Sequence, residues 1–184
     1  MKTIKHRLFA IIAVVAIAAS AALAGPTQNR SRQQIIKQVQ HELRTLPYYG
    51  VFDNLSYKVE GSTVTLYGQV VQPTTRSDAG RRVARIQGVL EVVNNIEVLP
   101  LSSFDDAVRQ RTYRMVFSRA GLYRYAMGAD PSVHIVVNHG HVTLEGVVDS
   151  RMDSQLAYNA ALGVPGVFSV TNHLRVAGQE NVAN

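Results

Sequence analysis

The chain has 184 residues, with 19 Lys and Arg against 13 Asp and Glu, for a formal net charge of +6. Three of the positive charges are Lys2, Lys5 and Arg7, so the remainder carries only +3, which fits an anionic membrane surface without demanding a nucleic acid. Cys is absent, which excludes a disulfide framework, thiol chemistry and the acceptor of a bacterial lipoprotein, and is compatible with an oxidising compartment.

Taken from the N-terminus, the charged residues give way to an apolar run from Leu8 to Ala19 and then to Ser20-Ala21-Ala22-Leu23-Ala24. This order predicts a secretory signal cleaved after Ala24, and hence a periplasmic protein that is not a lipoprotein. An uncleaved anchor would want about 20 unbroken apolar residues, more than this run supplies. Residues 25–31 are polar and are expected to be a flexible lead-in.

Ile35, Ile36, Val39 and Leu43 then recur at helical spacing. Leu55, Tyr57 and Val59 alternate with Ser56, Lys58 and Glu60, turn at Gly61, and continue into Val64, Leu66, Gly68 and Val70, which is a β-hairpin. The polar stretch Thr74 to Asp78 offers caps for a second helix, whose buried stripe is Ala79, Val83 and Ile86. That helix stops at Gly88, and a last strand starts at Val89.

After a short link from Pro100 to Ser103 the same order returns. A helix carries Val108, Met115 and Val116, and Val133, Ile135 and Val137 lead through His139-Gly140 into Val142, Leu144 and Gly146. Ser150 to Ser154 precede a helix with Ala157, Ala161 and Val164, and a strand follows Gly166. Val64-Thr65-Leu66 and Val142-Thr143-Leu144 align, and at the same offset, without a gap, Gly88-Val89 meets Gly166-Val167 and Asn94 meets Asn172. So many matches in one register indicate duplication. The expected fold is α+β, with two tandem α-β-β-α-β units, each a three-stranded sheet with two helices on one face. The first unit spans residues 32–100, the second 104–177, and 178–184 are expected to form a disordered tail. The turn and packing positions fall to Gly61, Gly68, Gly88, Gly140, Gly146 and Gly166.

The segments Gly61 to Val70 with Gly88 to Val98, and Gly140 to Val148 with Gly166 to Val176, resemble the BON domain. Two departures stand out: the first helix of the second unit is rich in Arg and aromatic residues, and its hairpin follows an atypical stretch from Gly121 to Pro131. The resemblance implies export to the periplasm or outer membrane, a link to envelope integrity and osmotic stress, and binding of anionic phospholipid. It implies no catalytic constellation, no cofactor and no metal.

Arg109, Arg111, Arg114, Phe117, Arg119, Tyr123 and Arg124, with Tyr113 and Tyr125 among them, mix basic and aromatic side chains as a membrane interface wants. The plainer alternative is a helix whose rings fill the core while its arginines are solvated. A helical wheel puts Val108, Thr112, Met115, Val116 and Tyr123 inward, Arg111 and Arg114 outward, and Phe117 at an edge. His134, His141 and His173 are expected on the open face of the second sheet, with His139 at the turn. No Cys or carboxylate completes a metal motif around them, so they read as surface histidines. No nucleophile motif or phosphate-binding loop is found, which points away from an enzyme. A KH-type Gly-x-x-Gly between helices is absent, which points away from nucleic acid.

The leading expectation is a non-enzymatic periplasmic protein that contacts anionic phospholipid or an envelope protein. The alternatives are a soluble holdase-like stress protein that binds polypeptide clients and a purely structural role in a larger envelope assembly. The sequence leaves the oligomeric state open.

Overall fold

The computed structural model describes residues 26–128 and 130–178. The expected signal peptide, residues 1–24, and the tail beyond Gly178 lie outside the described residues. Two α+β units follow one another. In the first, α1 (Pro26–Arg44), the hairpin β1 (Asn54–Glu60) and β2 (Thr63–Val70), α2 (Pro73–Val83) and the short strands β3 (Glu91–Asn94) and β4 (Glu97–Val98) appear in that order. The helix α1 opens at Pro26, within the segment expected to be a flexible lead-in, because proline at a first helical position lacks only an N–H that would have no partner there.

The second unit contains α3 (Ser103–Tyr113), a π-helical turn at Arg114–Arg119, a 3₁₀ turn at Tyr123–Ala126, β5 (Val133–Asn138), β6 (His141–Val148), α4 (Arg151–Leu162) and β7 (Ser169–Val176). In each sheet the middle strand pairs antiparallel with its hairpin partner and parallel with the last strand, the order being β1-β2-β3 with β4 continuing beside β2, and β5-β6-β7. Among the described residues no helix is long and apolar enough to cross a membrane.

Each unit buries its own core. Ile35, Val39 and Leu43 of α1 and Ala79 and Val83 of α2 meet Val64, Leu66 and Val70 of β2. Val108 of α3 and Ala157 and Ala161 of α4 meet Ile135, Val142 and Leu144. The duplication reaches single hydrogen bonds. Asn94 Nδ2 donates to the Arg76 carbonyl at 2.9 Å and its Oδ1 accepts from the Ile96 amide, while Asn172 Nδ2 donates to Ser154 Oγ at 2.9 Å and its Oδ1 accepts from the Leu174 amide. Each asparagine thereby ties its last strand to the preceding helix.

The two helix starts differ. Ser150 Oγ accepts from the Asp153 amide at 3.1 Å, so the hydroxyl cap expected from the sequence is made in α4. In α2 the chain enters through Gln72 with no side-chain cap, and Pro73 opens the helix instead of the hydroxyls of Thr74 and Thr75.

The units meet along one seam. The chain between α1 and β1 runs past the free edge of β5, where the Ile135 amide donates to the Val51 carbonyl at 2.7 Å. Val51 and Phe52 pack against the core of the second unit, and the Phe52 ring meets Tyr113 edge-on with centroids 6.2 Å apart. An ion pair between Arg44 and Asp130, 2.6 Å long, spans the same joint.

Candidate functional site

The start of α3 is fixed by its own polar residues. Ser102 Oγ caps the Asp105 amide at 3.1 Å, and the buried Asp105 carboxylate accepts from the backbone amides of His139 and Gly140 at 2.9 and 2.8 Å. One turn later Arg109 Nη2 donates to the Val137 carbonyl at 2.8 Å. Together these bonds fasten α3 to the β5–β6 hairpin and set which side faces out.

Arg109 is therefore a correction to the expected surface cluster. It is buried, held between Val137 and Asp106, and its Nε finds no partner, because the helix phase set by Val108 and Thr112 carries it inward. Phe117 is a second correction: it is fully buried and stacks edge-on with Tyr113 at 5.0 Å. Tyr123, expected in the inward stripe, is 65% exposed. Both shifts follow from the π-helical turn, which adds a residue per turn and rotates Phe117 toward the sheet, and from the break at Gly121, where φ is +74°.

Arg111, Arg114, Arg119 and Arg124 are exposed. Arg111 Nη1 donates to the Pro165 carbonyl at 3.1 Å, which lays its guanidinium along the turn after α4. Arg124 is held by carboxylates: Nη2 lies 2.9 Å from Asp153, Nε lies 3.4 Å from Asp149, and its guanidinium stacks over the Tyr125 ring at 4.4 Å. The Tyr125 hydroxyl meets Asp149 and Asp153 at 3.0 and 2.8 Å. Burial acts to raise the Asp153 carboxyl, but hydrogen bonds from Ser150, Tyr125 and Arg124 outweigh it and hold the group below its ordinary range. Arg124 thus belongs to a capping network, whereas Arg114 and Arg119 have no ion pair among the described residues.

Two aromatics that the sequence reading did not single out complete the surface. Phe104, on the first turn of α3, stacks on Phe168 at 5.8 Å; they are 44% and 69% exposed. His141 meets Phe168 edge-on at 5.9 Å. Phe104, Ala107 and Arg111 follow one another at spacings of three and four, so they share one flank of α3, and Arg114, at the start of the π-helical turn, continues it, with no acidic residue among them. Leu101, just before the helix, is 94% exposed. The signal in the sequence was the position of Phe168 just after the Gly166 turn, matched in the first unit by the exposed Leu90.

The histidines part company. His141 and His173 do lie on the outer face, their Nδ1 atoms 2.7 Å from Ser169 Oγ and 2.8 Å from the Glu145 carboxylate. His134 is buried, a correction to its expected open position, because the chain from Tyr49 to Asp53 covers it. Among the described residues no group of three or more His, Asp and Glu is placed to hold a metal ion.

The BON domain matches residues 31–100 and 124–178 of this chain. The second match starts at Arg124, leaving α3 outside it. No curated protein matches. Two solved structures from Chlamydia trachomatis are similar: CdsD, a structural protein of the Type III secretion system, at 11% identity over 78% of this chain and 93% of that one with a TM-score of 0.30, and the C-terminal domain of CdsD at 13% over 77% and 96% with a TM-score of 0.29.

Proposed function

The chain belongs to the BON-domain family, in two copies, and from that premise we propose that it acts by binding, docking on an anionic phospholipid surface of the bacterial envelope through the outer flank of α3. The carrying observation is the combination on one side of the second unit of exposed Phe104 and Phe168 with Arg111 and Arg114. Apolar rings of this kind bury at the boundary between headgroups and acyl chains, and guanidinium groups pair with phosphate oxygens. The Asp105 and Arg109 anchors hold that flank rigid, so little side-chain or backbone order is lost on contact. The periplasm is the compartment that fits the N-terminal signal pattern and the lack of Cys.

Co-sedimentation of the chain without residues 1–24 with phosphatidylglycerol-containing and purely phosphatidylcholine vesicles tests the reading. Binding confined to anionic vesicles and weakened by salt is the expected outcome, since exposed charges are screened within about 8–10 Å at physiological ionic strength. The folded Arg111→Ala/Arg114→Ala double variant is expected to bind about thirtyfold more weakly, at roughly 1 kcal/mol for each basic residue near the surface. Equal binding by that variant removes α3 from the lipid contact, and absence of binding to both vesicles favours a polypeptide client instead.

A further inference from the structure

His134 on β5 sits at the joint between the units. Its Nδ1 lies 3.2 Å from the Gly50 carbonyl, which fixes Nδ1 as the donor, and its Nε2 faces the Tyr49 hydroxyl at 3.5 Å, with the two rings 5.5 Å apart. Only 7% of the residue is exposed. One residue further, the Ile135 amide makes the 2.7 Å bond to Val51 that closes the β5 edge. A neutral ring therefore satisfies both nitrogens against first-unit atoms at the very place where the first unit seals the second.

We propose that His134 is a proton-operated latch: neutral, it holds the two units as one body, and charged at mildly acidic pH it releases the chain from Tyr49 to Asp53 from the edge of β5.

The groups around the ring offset a charge on it only in part, because each is already engaged elsewhere. From the covering chain, Asp53 is buried and spends its carboxylate on the Gly50 and Val71 amides at 3.0 and 2.7 Å. From the segment before β5, Asp130 is already paired with Arg44 at the end of α1. Across the sheet, Glu145 stands opposite His134 in register but is held by His173. Arg175 of β7 lines the same cleft and is repulsive toward a cation. A buried ion without a dedicated partner is unfavourable, and the cleft of about 400 Å³ that His134 lines gives protons and water a path to it.

Burial holds the His134 imidazole below its ordinary value near 6.5, against the opposing pull of the Gly50 carbonyl, Asp130 and Asp53. A closed seam therefore binds fewer protons than an open one. Its stability is fully present above the ordinary value and is lost as pH falls through the lowered one. Asp53, raised above its ordinary value chiefly by burial, has the opposite sign, so its protonation on acidification favours the closed seam, and the His134→Gln comparison, which leaves Asp53 in place, isolates the share of the histidine.

Amide exchange by NMR on the whole chain, corrected for intrinsic rates, tests this between about pH 7.5 and about pH 5. The Ile135 amide is expected to lose roughly tenfold or more of its protection over that range while the Leu66 and Leu144 amides of the two central strands keep theirs. The loss is expected to track the titration of the His134 ring, and His134→Gln, which stays uncharged, is expected to flatten it. Unchanged Ile135 protection, loss in step with Leu66 and Leu144, a midpoint that departs from the ring titration, or an equal pH response in the Gln variant would each overturn the latch.

Discussion

Gly68 and Gly146 occupy the same place in the two units, with φ of +114° and +118°. A Cβ at either would stand 2.0 or 2.1 Å from the carbonyl oxygen of Asn54 or Ser132, backbone atoms at the start of the adjacent hairpin arm that cannot swing aside. Gly68→Ala and Gly146→Ala are therefore expected to destabilise their own units by about 3 kcal/mol or more, combining strain with overpacking. Gly61→Ala, in open space at φ +61°, should cost only about 1–2 kcal/mol, and thermal unfolding of the three variants reads the difference. Asp105 shows what the sequence did not disclose at this scale. Its carboxylate reaches the His139 and Gly140 amides across 34 and 35 residues, a partnership that no local spacing announces. Asp105→Ala leaves both amides without their acceptor, and about 2–4 kcal/mol of destabilisation in a denaturant titration is expected.

At the scale of elements, the alternating hairpins and the stripes Ala79, Val83 and Ala157, Ala161 were legible because each follows the period of its own backbone; Ile86 and Val164 are buried as well, but from the turns that follow α2 and α4, which end at Val83 and Leu162, short of Gly88 and Gly166. The phase of α3 was not. A wheel drawn at the ordinary helical angle assumes an α-helix throughout, and the π-helical turn at Arg114–Arg119 breaks that assumption where the candidate residues are densest. Phe117 consequently sits inside, whereas Arg109, still within α3, is carried inward by the ordinary helical phase of Val108 and Thr112; Phe104 and Phe168 supply the exposed rings. The start of α4 offers a sharper test. Ser150 and Asp153 form a cap in which Asp153, held below its ordinary value by bonds from Ser150, Tyr125 and Arg124 that outweigh its burial, favours folding above the ordinary carboxylate range and loses that contribution as pH falls through its lowered value. Ser150→Ala should lower stability by about 1 kcal/mol at neutral pH and also reduce the loss on acidification, since one of the bonds that depresses Asp153 is gone. Unfolding midpoints near pH 7 and near pH 3, compared between the two proteins, check both halves of that statement.

For the whole molecule, the duplication made two units predictable, but duplication is silent about what lies between copies. The joint is built from residues that the repeat does not share, since at its offset Tyr49, Phe52 and Asp53 stand against Met127, Asp130 and Pro131, and His134 against Ser56. A strand edge left open invites pairing with other chains, and the Val51 carbonyl on the Ile135 amide closes the edge of β5 from within. Phe52 contributes a first-unit ring to the second unit's core, against Tyr113. The two units should therefore unfold with shared cooperativity and not as independent beads. Phe52→Ala removes a half-buried ring, and a loss of about 1–3 kcal/mol is expected to fall on the second unit although the substitution lies in the first. In calorimetry the whole chain should show one transition that splits or broadens in the variant, with the second-unit strands, followed by amide exchange at Leu144, opening first. Equal loss of protection at Leu66 and Leu144 would instead show that Phe52 supports its own unit and that the seam does not carry stability across.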